Sequence, residues 1–401
     1  MSVQPPFSHR DAGASPARVL VAGGGVAALE TLLALRDLAG ARVSTTLLTS
    51  RATLTSNAMS VARLFARGRL RRVELAEAAD EVVCDRLAEV DVGSRRVRCV
   101  SGKDLDYDHL VLAVGARARR AWSHGITLGT DCAEEELHGL LEEIERGYVA
   151  QVAFVVPGGT VWPLPLYELA LMTARQAWSM GMDRVRFALV TPEERPLGIF
   201  GRAPSEGVAE LLDASGIEFI GSTYASVGHG SMQLVPAARR LSRARVVSLP
   251  VLEGPDLPGV PTDPSGFIPA DQHGRVRGLA GVYAAGDGTT FPIKQGGLAT
   301  QQADAVAETI AAAVGAPVTP EPFRPVLRAM LLTGGDTRYL QNTVAGGDGD
   351  GDMATHELRW PPAKLAGRYL SPYLLEGRAR PGHAGPAPRT VRMSASAACE
   401  A

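Results

Sequence analysis

Short apolar runs alternate with helical stretches along most of this chain. Arg18–Ala22 (RVLVA) reads as a buried strand, Ala27–Leu38 carries apolar residues at helical spacing, and Arg42–Leu48 returns as a strand. Further on, Gln151–Val156 (QVAFVV), a helix over Leu166–Trp178, the strand Val185–Val190 (VRFALV), a helix over Ser205–Ala214 and the strand Glu218–Ile220 repeat that rhythm. Two βαβ units predict an α/β protein with parallel sheets and crossover helices. A later strand, Gly281–Asp287, leads to a helix over Leu298–Ala313. The C-terminal part reads as a hairpin over Pro322–Leu340, turning at Thr333–Asp336, and a helix over Ala363–Leu375. That helix carries Leu365, Tyr369, Leu370 and Leu374 on its apolar side and is interrupted at Pro372.

The first strand runs into Gly23-Gly24-Gly25-Val26-Ala27-Ala28 and then a helix. A GxGxxA loop between strand and helix points to a dinucleotide pyrophosphate. Gly23 allows the tight turn, Gly25 lets phosphate approach the backbone, and Ala28 keeps the helix close to the strand. Helix N–H groups at Val26 and Ala27 then face the anion. An acidic residue would normally end the second strand to hold ribose hydroxyls. Thr49 and Ser50 stand there instead, offering only hydroxyl groups.

Composition narrows the function classes. The 401 residues are 45% hydrophobic and 21% charged with a net charge of −2, which excludes a globally basic nucleic-acid binder. No apolar run is long enough to span a membrane, the first residues lack a secretory apolar core, and the four cysteines form no CxxC, so a cytoplasmic protein without a disulfide scaffold is expected. Histidines form no metal-ligand pair, and His273 reads as a turn residue. No metal site is expected, and Gly346–Asp352 (GGDGDGD) reads as an exposed loop rather than a calcium loop. Only Lys103, Lys294 and Lys364 are lysines among 41 basic residues.

Where the second βαβ unit should repeat the glycine loop, it reads Pro157-Gly158-Gly159-Thr160-Val161-Trp162-Pro163-Leu164-Pro165. Its prolines remove N–H donors that a pyrophosphate would use. This unit argues against the standard pose of NAD(P)H.

Three segments together, Gly23–Ala28, Tyr107–Ala116 (YDHLVLAVGA) and Gly281–Asp287 followed by Lys294-Gln295-Gly296, resemble the signature of two-dinucleotide-binding-domain flavoproteins. The resemblance covers approximately Arg18 to Glu376. It implies two tandem Rossmann-like domains with parallel sheets plus a small C-terminal α+β segment, and FAD as cofactor. It further implies FAD contacts at Ala113, Val114, Gly115 and Gly286, a ribityl contact from Asp287, and a helix start at Gln295–Gly296 aimed at the flavin pyrimidine edge. Lys294 would stabilise the negative charge of reduced flavin there. The implied division is a leader (1–16), an FAD-binding domain in two parts (17–118 and 263–315) around a degenerate NAD-type domain (119–262), a C-terminal hairpin and helix (316–376) and a tail (377–401).

The second loop also resembles the C-x-P-x-P-Y-E segment of sulfide:quinone oxidoreductases and flavocytochrome c sulfide dehydrogenases, relatives of type II NADH dehydrogenases. Trp162 replaces the redox cysteine, Cys132 matches only the peripheral one, and Leu327–Thr333 contains none. A disulfide relay is therefore not expected. Glu168 would sit by the flavin as a proton relay, or serve as an ordinary acidic residue near a helix start. Trp162 would cover the flavin or belong to the core. The implied activity is FAD-dependent electron transfer between a small-molecule donor and an acceptor, which could be a quinone. Alternatives are an NAD(P)H-dependent reductase and a non-enzymatic flavin-binding or regulatory protein. The C-terminal helix is expected to pack over the flavin pocket rather than on a membrane, and an oligomer is compatible with these features.

Overall fold

The computed structural model describes residues 15–55, 60–65, 72–130, 132–236, 238–343, 352–354 and 364–376. Ten strands in chain order build two parallel sheets: β1 (Ala17–Ala22), β2 (Val43–Thr49), β3 (Glu81–Cys84), β4 (His109–Leu112), β5 (Ile126–Thr127), β6 (Gln151–Val155), β7 (Arg186–Val190), β8 (Ile217–Ile220), β9 (Arg245–Ser248) and β10 (Val282–Ala284). The first sheet has the order β10-β4-β1-β2-β3 and the second β5-β9-β6-β7-β8. Every pairing within both is parallel. The helices are α1 (Val26–Leu38), α2 (Ser60–Leu64), α3 (Ala133–Glu145), α4 (Leu164–Ser179), α5 (Arg202–Ala214), α6 (Gly296–Ala313) and α7 (Leu370–Glu376). The fold is thus α/β with two Rossmann-like units.

Parallel strands covered on both faces must be apolar throughout. β6 meets this demand, with all five of its residues buried. In the first sheet, Val19 to Ala22 and Leu110 to Leu112 are buried in the same way. Helices α1 and α6 meet through small side chains, Ala27, Ala28, Ala299, Ala303 and Ala307, with Leu29, Val306 and Ile310 closing the same core. Small residues at facing positions let two backbones approach closely. The crossover topology puts a crevice at the carboxyl ends of β1 and β4, where the chain departs in opposite directions along the sheet.

The hairpin expected near the C-terminus is present as β11 (Val326–Leu331) and β12 (Arg338–Thr343), extended by β13 (Asp352–Ala354). The expected helix over Ala363–Leu375 is shorter. Ala363 lies outside the described residues, Lys364 to Tyr369 are non-helical, and the helix begins at Leu370. The reason is visible in the contacts: the carbonyl of Ala366 accepts from Thr300 Oγ1 at 2.5 Å, and the amides of Tyr369 and Leu370 are held by Glu30. Pro372 therefore falls in the first turn, where its missing N–H costs nothing. Leu370 and Tyr373 are buried in the α1–α6 core.

No helix among the described residues is long and apolar enough to cross a membrane. Cys99 is a buried and Cys132 an exposed free thiol. His273 sits in the expected turn, its N–H donating to Asp271 Oδ1 at 2.8 Å. Of the GGDGDGD loop only Asp352 is described; residues 1–14 and 377–401 also lie outside the described residues.

Phe154, fully buried at the centre of β6, anchors the second core. Phe154→Ala is expected to destabilise the fold by about 3–5 kcal/mol, read as a lowered denaturation midpoint.

Candidate functional site

The crevice at β1 and β4 is built from backbone. Gly23, at φ +127°, donates its N–H to Leu48 O at 2.8 Å, and a Cβ there would run into the Ala113 carbonyl. A Cβ on Gly24 would meet Thr49 Oγ1. Gly25 differs, because a Cβ there would project into open space. Gly25 is also the N-cap of α1 in extended conformation, with no side chain capping the helix. The first N–H groups of α1, at Val26, Ala27 and Ala28, therefore open toward free volume with no capping side chain.

Two distant segments converge on this loop. Gly286, at φ +85°, passes so close to α1 that a Cβ would lie 3.1 Å from Ala27 Cβ. Its N–H is held by Gln302 Oε1 of α6 at 2.6 Å. From the other side, a Cβ on Gly288 would come within 3.0 Å of the Gly115 carbonyl, in the loop Ala113-Val114-Gly115 that follows β4. Asp287 lies between these contacts. Its carboxylate receives no hydrogen bond from a described residue, and burial raises its pKa while Lys294 pulls it back. A deeply set carboxylate without a protein donor fits a hydroxyl-bearing ligand.

Lys294 donates from Nζ to Thr289 O at 2.5 Å and stands 3.9 Å above the Phe267 ring. Burial lowers its pKa to about 8 against the opposing pull of Asp287 and Asp263. Gln295 caps α6, its Oε1 accepting from Leu298 N at 2.8 Å while its Nε2 donates to Arg328 O at 3.2 Å. A Cβ on Gly296 would strike Leu365, so the bend after Lys364 lies directly on the start of α6. Thr49 is buried and its hydroxyl is tied to the backbone of Arg51 at 3.2 Å, which leaves Ser50 as the exposed hydroxyl at the end of β2.

Glu168 is fully buried on α4. Its Oε1 accepts from Leu332 N at 2.9 Å and its Oε2 from Lys364 Nζ at 2.5 Å. Burial raises its pKa, with Lys364 and the Leu332 amide opposing. Lys364 went unassigned in the sequence, although its rarity among arginines singled it out. Trp162 packs on Phe200 with ring centroids 5.9 Å apart and joins the second core.

The second crevice lacks a comparable cradle. Eight residues separate the end of β6 from α4, and Pro157, Pro163 and Pro165 offer no N–H. Thr160 N donates to Pro157 O at 3.3 Å and Leu166 N to Pro163 O at 2.9 Å, so these amides are already engaged. Glu193, beyond the end of β7, turns inward to accept from Tyr167 OH at 2.7 Å and Thr191 Oγ1 at 3.0 Å. These residues do not fit the standard hold on a nicotinamide dinucleotide. A surface cavity of about 250 Å³ beside Arg175 and Trp178, lined in part by the hairpin turn at Thr333–Asp336, includes none of the crevice residues. No cluster of metal-ligating side chains occurs among the described residues.

A parallel sheet with a glycine elbow at its switch point defines a dinucleotide-binding protein. Residues 17–307 match the family described as pyridine nucleotide-disulphide oxidoreductase, and the chain belongs to it. That family is one of oxidoreductases. Over 262 residues the chain is 26% identical to the rubredoxin-NAD(+) reductase of Pseudomonas putida, covering 62% of this chain and 66% of that relative, just under two thirds of its length. The fold is similar to the sulfide:quinone oxidoreductase of Aquifex aeolicus (TM-score 0.73, 19% identity, 84% of this chain and 87% of that one). It is also similar to a ferredoxin reductase of Rhodopseudomonas palustris (TM-score 0.61, 20% identity, 82% and 83%).

Lys364→Met would leave Glu168 buried with a single amide donor. We expect a loss of about 3–5 kcal/mol at pH 8. The loss should shrink toward pH 5, because a carboxyl whose folded pKa is raised favours folding as it protonates. Denaturation midpoints of the variant and wild type at both pH values check this.

Proposed function

We propose that the chain takes an electron pair from a small reduced donor and delivers it to a quinone-like acceptor, using FAD and no redox disulfide. The observation that carries the reading is the convergence of Gly23–Ala28 and Gly286-Asp287, which leaves free helix N–H groups and an unpartnered carboxylate on one crevice. When bound, FAD supplies two-electron redox chemistry. The amides of Val26, Ala27 and Ala28 would hold its pyrophosphate, Ser50 the adenosine ribose, and Asp287 the ribityl hydroxyls. The start of α6 and Lys294 would place positive charge at the edge that becomes negative on reduction.

The donor and acceptor assignment rests on two supports. The second crevice, with Pro-interrupted backbone and Glu193 already engaged, disfavours a nicotinamide dinucleotide donor. Trp162, at the position where the sulfide enzymes carry a cysteine, removes the thiol relay, so electrons would pass directly between substrate and flavin. Glu168 would act as a positioning residue through Lys364, because both its oxygens are already occupied.

Purified protein should carry a flavin spectrum. Asp287→Ala is expected to weaken flavin binding by about 10–100-fold, the equivalent of one charge-assisted hydrogen bond of about 1.5–3 kcal/mol. Anaerobic titration should leave the flavin oxidised with NADH or NADPH, and a flavin reduced by another donor should be reoxidised by a short-chain quinone. Rapid bleaching by NADH or NADPH would replace this reading with an NAD(P)H-dependent reductase. Flavin that no donor–acceptor pair turns over would point instead to a binding or regulatory protein.

A further inference from the structure

The segment Lys364–Glu376 forms a strap across three helices. Lys364 is anchored to α4 through Glu168, Ala366 to α6 through Thr300, and Tyr369 and Leu370 to α1 through Glu30. Glu30 is fully buried, accepting from Tyr369 N at 2.8 Å and from Leu370 N at 2.6 Å. Gly367 rests against it, since a Cβ there would lie 2.7 Å from Glu30 Oε2. The strap ends up on the start of α6, with Leu365 against Gly296 and Ala366 3.5 Å from a Gly297 Cβ.

A second carboxyl, partly buried, stands beside the first. Asp304 of α6 contacts Glu30, and its Oδ1 has no hydrogen-bond partner. Two carboxylates in contact, one of them fully buried, cannot both stay ionised. Glu30, holding two amides, is the better anion, and Asp304 is the better acid. Burial and the charge of Glu30 push Asp304 up to about 9. Other charged or titratable groups facing the pair are Arg368 and Tyr369 of the strap, Glu308 of α6 and Asp37 of α1. Arg368 is occupied by Glu308 at 3.3 Å, and Tyr369, pushed up to about 12, stays neutral.

We propose that Glu30 and Asp304 form a proton-sharing latch that holds the C-terminal strap over the start of α6, and that the strap opens as pH rises. The docked strap keeps one proton on the pair. Once the strap lifts, water reaches both carboxyls and that proton is released. Docking therefore takes up a proton, and its equilibrium constant falls by up to about tenfold per pH unit between the ordinary carboxylate range and the raised value. If the start of α6 faces the flavin, as the proposed function has it, the latch controls access to that edge.

Hydrogen exchange of peptides covering 364–376, corrected for the intrinsic rate, tests the latch with or without flavin bound. In the wild type, strap protection should fall by up to about tenfold per pH unit from pH 6.5 to 8.5, while α3 keeps its protection as an internal control of folding. Asp304→Asn retains a neutral partner without titration, so its strap should be protected equally across that range. Glu30→Gln should lose strap protection at every pH. Wild-type protection that does not change with pH, or an Asp304→Asn strap with the wild-type pH dependence, overturns the latch. Iodide quenching of flavin fluorescence over the same range reads access separately. Loss of flavin binding alone would count against the proposed function and leave the exchange result standing.

Discussion

At the carboxyl end of β1 backbone packs directly on backbone, and the crevice is arranged around that contact. Gly23 touches the Ala113 carbonyl and Gly24 touches Thr49 at distances that exclude a side chain, and Gly286 passes tightly over Ala27. Backbone in such contact fixes the direction in which α1 leaves the sheet. It also fixes where α6 can lie, because Gln302 of α6 holds the Gly286 amide. Alanines along α1 and α6 then let the two helices settle at close range. The crevice is a consequence of this crowding, since Gly25 alone in the loop faces open volume.

The two Rossmann-like units share a topology and differ in how they satisfy their own polar groups. In the first, an uncapped helix start and an unpartnered carboxylate remain available to a ligand. In the second, prolines remove three donors, carbonyls take up the Thr160 and Leu166 amides, and Glu193 is turned onto Tyr167 and Thr191. Strand order therefore does not tell the units apart. The distinction lies in which hydrogen-bonding groups the protein has left without partners.

Features set by local chemistry were legible in the sequence. The glycine elbow, the buried strands, the hairpin and the helix after Gln295 depend on spacing within a dozen or so residues. The two units and the cofactor class followed from them. Less legible were features that depend on partners far along the chain. Glu30 reads as an acidic residue early in a helix, yet its amide partners are 339 and 340 residues away. Glu168 and Lys364 are separated by 196 residues, and no local pattern announces a buried pair. The late start of α7 has the same origin, because Thr300 and Glu30 divert the backbone that periodicity alone would make helical. The hydroxyl of Thr49 could not be read either, since its engagement by Arg51 is a matter of turn geometry.

The anchoring of the strap has a consequence for biosynthesis. Glu30 is made well before the amides that complete its coordination, which follow 339 and 340 residues later. Until then α1 must carry a carboxyl that lacks both of those amide donors. The first half of the fold can assemble during translation, but it reaches its final electrostatic balance only when the strap arrives. Nascent chains that stop short of Tyr369 would thus hold an incompletely satisfied core, a natural mark by which quality control could distinguish them from finished protein.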